Sequence, residues 1–279
     1  MEPNGHLAST TTLSCKFIKR GKPQPHKLQV NSSDLYPFCP VKPVMIYPIT
    51  RFTPFDDRVV SLMQQVQETK IFSIYTRRHP QTHQVKLIAI EFIQEKQMPS
   101  IVLIFDFFYK PDETTLLFAV IEFLLVHIFK PEKHCFVWDD EQKQDLDAFV
   151  EHHYLSRTIL ESMKFIPLQQ LFKEWYNRTF PHNRDCFVST NYIHDSIYCI
   201  CPHRPYRDMY DKWHPLKALF YVFHEYVHTI NEQYVRIPRD IQYSVTCCMI
   251  MTKLSMVIGL NWTSDQLHEF NSLRHRQLE

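Results

Sequence analysis

The chain has 279 residues, 44% hydrophobic, 14% aromatic and 22% charged, a globular balance able to bury the core of one large domain or two small ones. Its net charge of +1 supplies no whole-molecule field toward nucleic acid or acidic membranes, so any such contact must be local. Only three glycines occur, Gly5, Gly21 and Gly259, which all but excludes a glycine-rich dinucleotide site or a P-loop. The eight cysteines, with a polar N-terminus that lacks an apolar stretch, read as reduced thiols in an intracellular protein, cytoplasmic or nuclear. The apolar run from Thr115 to Phe129 is about fifteen residues, contains Glu122 and falls short of the roughly twenty that span a bilayer, so no membrane partner is expected.

Residues 1–45 are rich in Ser, Thr, Pro and Lys without periodicity and read as a disordered N-terminal arm. Lys16, Lys19, Arg20, Lys22 and Lys27 make it locally basic, which fits a solvated tail, a nucleic-acid contact or a localisation signal. Residues 46–279 read as one α/β domain. A helix over Asp57 to Thr69 precedes strands at Ile71–Tyr75, Val85–Ile93 and Ile101–Phe107, whose short links predict an antiparallel meander. Leu116, Val120, Phe123, Leu124 and Phe129 form one helical face, followed by a strand at Cys135–Trp138 and a charged helix over 140–152. A short strand ends near Ile166, and a helix runs from Leu168 to Arg178. A loop insertion over 179–212, rich in His, Cys, Tyr and Pro, separates these from helices at about 214–234 and 241–258. Trp262, Leu267 and Phe270 would dock a last short helix.

Three segments carry a family pattern: Ile71-Phe-Ser-Ile-Tyr-Thr-Arg77, then Val137-Trp-Asp139 with Asp145-Leu146, then Tyr243-Ser-Val-Thr-Cys247. In order and spacing they resemble the DEDD-type 3′–5′ exonucleases of the ribonuclease H-like superfamily, over roughly residues 52–272. That family ends its first strand in Asp-x-Glu, adds a middle Asp and closes with Tyr-x-x-x-Asp. Here Tyr75 stands for the first Asp, Arg77 for the Glu and Cys247 for the last Asp, while Asp145 and Tyr243 match. The resemblance implies an α/β, ribonuclease H-like mixed sheet flanked by helices and a degenerate, non-catalytic site that retains nucleic-acid or protein binding.

The family's hydrolysis uses two hard dications, Mg²⁺ or Mn²⁺, which want carboxylate oxygens. Arg77 puts a permanent positive charge where a cation should sit and is expected to pair with Asp145. Arg77 and Arg78 would contact phosphates of a single strand, and Tyr75, Trp138 and Tyr243 would stack its bases. An alternative is a weakly active exonuclease in which Asp139 and Asp140 join Asp145 on the metal; the bland reading makes those two a solvated helix start. Cys247 reads as a small apolar filler.

Two zinc readings compete. His224-Glu225-Tyr-Val-His228 is an H-E-x-x-H motif; on a helix, both histidines would face a Zn²⁺ with Glu225 as general base of a hydrolase. Against it, the histidines flank a stripe of Leu216, Phe220, Phe223, Val227, Ile230 and Tyr234 that reads as an ordinary core face. His182, Cys186, His194, Cys199, Cys201 and His203 within the insertion are either a structural zinc clip or a His-rich loop with free thiols.

Overall fold

A computed structural model of the chain describes residues 35–94, 98–181, 201, 212–227 and 237–276, with side chains through 273. Its first half contains β1 (Tyr36–Pro37), β2 (Val44–Ile49), α1 (Asp57–Glu68), β3 (Ile71–Arg78), β4 (Val85–Phe92), β5 (Ser100–Asp106), α2 (Leu116–Ile128) and β6 (His134–Val137). Then come α3 (Asp140–Asp145), α4 (Asp147–Glu151), α5 (Arg157–Ser162), β7 (Phe165–Pro167) and α6 (Leu168–Thr179). The C-terminal part holds α7 (Pro215–Phe223), β8 (Glu225–Tyr226), α8 (Arg239–Gly259) and α9 (Ser264–Arg276).

β3, β4 and β5 form the expected antiparallel meander, and β6 and β7 continue the sheet parallel to β3. With β2 parallel to β5, the order is β2-β5-β4-β3-β6-β7. This is a mixed sheet flanked by helices, as the resemblance implies, with β2 at one edge. The central strands are apolar on both faces because both faces are covered. Phe72, Ile74, Ile88, Ile90, Leu103 and Phe105 pack with α1, α2 and α4 on one side. Leu87, Ala89, Val102 and Ile104 pack with α6, α7 and α8 on the other.

The helix starts follow local chemistry. Asp56 accepts the Arg58 and Val59 backbone N–H groups at the head of α1, and Thr115 accepts that of Phe118 at the head of α2. α8 is long and apolar enough to cross a membrane by length and composition, and here most of it is buried against β3, β4, α6 and α7.

Three expectations change. β1 and β2 lie within or next to the segment read as an arm: Val44 to Ile49 pair with Ser100 to Phe105. Pro48 fits there because an edge strand tolerates a missing N–H. Residues 1–34 of that arm lie outside the described residues. The helix over 140–152 is two short helices meeting at Leu146. The helix expected over 214–234 stops at Phe223, where His224 takes a left-handed conformation (φ 53°) and the chain enters β8 beside β1.

Candidate functional site

Side chains on a strand alternate between faces. On β3, that rule sends Tyr75 and Arg77 toward α8, where Tyr243 and Cys247 stand one helical turn apart. The Tyr75 and Tyr243 rings meet edge-on with centroids 6.2 Å apart, and the Tyr75 phenol lies beside Cys247. The Arg77 guanidinium lies 4.8 Å from the Tyr243 ring centroid, a cation–π contact. It also pairs with Asp240 of the first α8 turn at 2.7 Å, and Lys86 of β4 pairs with the second oxygen of that carboxylate. The Tyr243 hydroxyl is 2.9 Å from His214 Nε2. His214 Nδ1 accepts the Leu216 N–H at 3.3 Å, so the neutral ring carries its proton on Nε2 and donates it to the tyrosine oxygen. The structure therefore brings Tyr75, Arg77, Tyr243 and Cys247 together.

Their protonation follows from this packing. Burial, with Cys247 and Tyr243 alongside, pushes the Tyr75 phenol far above its usual value, and burial lifts that of Tyr243. Burial likewise pushes the Cys247 thiol up to about 12, so it is a neutral thiol at physiological pH. The Lys86 hydrogen bond, then Arg77, holds the Asp240 carboxyl below the usual range. Of the four positions that the resemblance assigns to metal-binding acids, three thus present a phenol, a guanidinium and a thiol, and the fourth is Asp145. A pair of hard dications needs anionic oxygens, and this set does not fit them.

Asp145 is elsewhere. Thr76 Oγ1 donates to its Oδ2 at 2.5 Å, and Arg78 Nε donates to its Oδ1 at 2.7 Å. Thr76 alternates with Tyr75 and Arg77, and Arg78, just past a bulge in the β3–β4 pairing, reaches the same carboxylate. The expected Arg77–Asp145 pair is therefore replaced by Arg78–Asp145 and Arg77–Asp240. A one-residue step along a strand changes the face, and spacing counted along the chain does not register it.

Other sequence candidates also move. Trp138 cannot stack a base: it is 3% exposed in the α8-side core, and its indole N–H donates to the Trp213 carbonyl at 2.7 Å. Asp139 caps α3 by accepting the Gln142 N–H at 3.0 Å. Because α7 ends at Phe223, His224 is a left-handed cap and Glu225 lies on a strand, where it is buried against Lys253 at 2.6 Å. That removes the helical spacing and the free base that the zinc-hydrolase reading required; His228 lies outside the described residues. Of the Cys/His cluster, Cys201 is described and buried, and His182, Cys186, His194, Cys199 and His203 lie outside the described residues. Among the described residues, no three His, Cys, Asp or Glu side chains converge as a metal set.

Asp240, Lys86 and His214 complete the cluster and were not singled out from the sequence. Two signals were available: His214-Pro215 ahead of an apolar helix is a helix start, and Asp240 sits three residues before Tyr243 on one helical face.

No protein-family model matches the chain, and no curated protein does. Among solved structures, it is similar to the RNase D of Trypanosoma brucei at a TM-score of 0.45 and 10% identity, over 85% of this chain and 71% of that one. It is also similar to Escherichia coli RNase D, an exoribonuclease involved in structured RNA processing, at a TM-score of 0.43 and 12% identity. That likeness covers 84% of this chain and 51% of the other, so the chain spans about half of that length.

Proposed function

We propose that this chain is a 3′–5′ exonuclease-like domain that no longer cleaves and instead binds single-stranded nucleic acid at the end of β3. One observation carries the non-catalytic reading: the residues converging there are Tyr75, Arg77, Tyr243 and Cys247, while Asp145 is already held by Thr76 and Arg78. Hydrolysis through two metals depends on carboxylates that bind them. Binding needs cations and aromatic faces instead. Arg78 is 44% exposed, and Arg77 and Lys86 are partly exposed beside the half-buried Tyr243. They can reach phosphates without any metal.

Incubating the full chain with labelled single-stranded DNA and RNA, with Mg²⁺ or Mn²⁺ and with chelator, tests both halves. The expected result is intact oligonucleotide under every condition, with binding at low salt that weakens as salt rises. Metal-dependent shortening from the 3′ end that Asp145→Asn abolishes would establish a residual exonuclease. Failure of every oligonucleotide to bind at low salt would leave protein recognition as the role of this surface.

A further inference from the structure

The sheet edge where β3 ends extends beyond this cluster. Arg77 is paired with Leu87, Leu87 with Asp106, and Ile49 with Phe105, so the ends of β3, β5 and β2 share that edge. Strands lie about 4.8 Å apart, so β2 is roughly 14 Å from β3 along it. Immediately after β5, a single 3-10 turn spans Phe107–Tyr109, and Arg51 and Phe52 follow β2 after Thr50. The Arg51 N–H donates to the Tyr109 carbonyl at 2.6 Å and ties the two segments together.

Their side chains make two neighbouring sets of ring contacts. The Arg51 guanidinium lies 4.8 Å from the Phe52 ring centroid and 6.0 Å from that of Tyr109, and the two rings are 6.4 Å apart. Phe108 meets the His79 ring at 5.9 Å, and His79 directly follows Arg78. Phe52, Phe108 and Tyr109 are 70%, 59% and 49% exposed. Three adjacent rings in water are the kind of apolar patch that marks a contact surface. Arg51 selects among partners: it is exposed, and among the described residues no carboxylate pairs with it. A purely apolar partner would desolvate that charge without compensation, whereas a phosphodiester strand supplies both an anion for it and a π-face for each ring. A duplex keeps its base faces stacked on one another, so the strand must be single.

We propose that Arg51, Phe52, Phe108 and Tyr109 form a base-stacking platform for single-stranded nucleic acid, continuous through His79 and Arg78 with the mouth of the β3 site. The platform rests on the reading of that site as a nucleic-acid surface, and it predicts stacking with little preference for sequence.

Fluorescence anisotropy separates the two. The full chain is titrated with a labelled single-stranded oligonucleotide and with an abasic strand of the same length and charge. The wild type should bind the base-bearing strand about tenfold or more tightly, since stacking contributes roughly 1–3 kcal/mol per base and 1.4 kcal/mol is tenfold. Phe52→Ala with Tyr109→Ala should erase most of that advantage and leave the abasic strand unaffected. Phe52→Leu with Tyr109→Leu, which keeps apolar bulk, should behave the same way. Arg77→Ala should weaken both strands equally. If the platform variants bind like wild type while Arg77→Ala weakens binding, the platform is wrong and the site reading stands. The reverse pattern keeps the platform and removes the site. No binding by wild type removes both, and so does a proline-rich or other peptide that takes the platform where oligonucleotides do not.

Discussion

The first turns of α8 and its middle face the same sheet with opposite electrostatics. Near its start, Tyr243 and Cys247 meet Tyr75 and Arg77, and Asp240 is neutralised by Arg77 and Lys86. Two to three turns further on, Thr252 and Lys253 hold carboxylates in the interior. The Thr252 hydroxyl is 2.6 Å from Glu91 Oε2 and 3.0 Å from Ser73 Oγ, and Lys253 Nζ is 2.6 Å from Glu225 Oε1. This chain buries acid where partners are built for it. The lack of carboxylates among the four converging side chains is therefore local to the end of β3, where a metal-dependent reaction would need them, and not a general property of the core.

The largest test of this contrast is the Glu225–Lys253 pair, whose side chains are 3% and 0% exposed. Removing the carboxylate takes the countercharge from a buried ammonium, so Glu225→Ala should cost about 3–5 kcal/mol in urea unfolding. Adding Lys253→Met should recover much of that loss. A double variant no more stable than the single one would show that the charge pair is not what matters there.

Glu91 comes next. Burial pushes its carboxyl from the ordinary 4.5 up to about 7, against the hydrogen bonds from Thr252 and Ser100 and the nearby Lys42 charge. The folded state then holds the proton more tightly than the unfolded chain. The stability linked to Glu91 is fully present below about pH 4.5 and is lost as pH rises through about 7, a change on the order of 3 kcal/mol. Unfolding midpoints across this range should fall more steeply for wild type than for Glu91→Gln. Parallel curves would refute the shift.

The smallest effect distinguishes neighbouring arginines. Arg78→Met leaves the buried Asp145 with the Thr76 hydroxyl as its remaining hydrogen-bond donor among the described residues and should cost about 1–3 kcal/mol. Arg77→Met breaks an ion pair to the partly exposed Asp240, which keeps Lys86, and should cost below about 1 kcal/mol. Thermal unfolding of the two single variants measures the difference. Equal costs would mean that Asp145 is less dependent on Arg78 than its geometry implies.

Much of the fold was legible in the chain. The β3–β5 meander shows as three β-branched, aromatic runs with short links, and α2, α6 and α8 show as apolar periodicity, because burial on defined faces writes itself into local composition. β2 was hidden: its pairing with β5 joins residues 56 positions apart, and Pro48 disguises it as coil. The end of α7 was hidden as well. Nothing at His224 marks a stop, since the left-handed turn is set by β8 joining β1 and by Glu225 meeting Lys253.

The site divides along the same line. Residue types alone determined that Tyr75, Arg77 and Cys247 cannot replace acids as ligands for hard cations, because a phenol, a guanidinium and a thiol lack the anionic oxygen at neutral pH. Tertiary structure decided which arginine holds Asp145, that Trp138 is spent on Trp213, and that Asp240, Lys86 and His214 complete the cluster. Those outcomes depend on strand faces and on contacts between residues as far apart as Lys86 and Asp240. A linear chain specifies its chemistry residue by residue, but partners across such distances exist only once the sheet and α8 have packed.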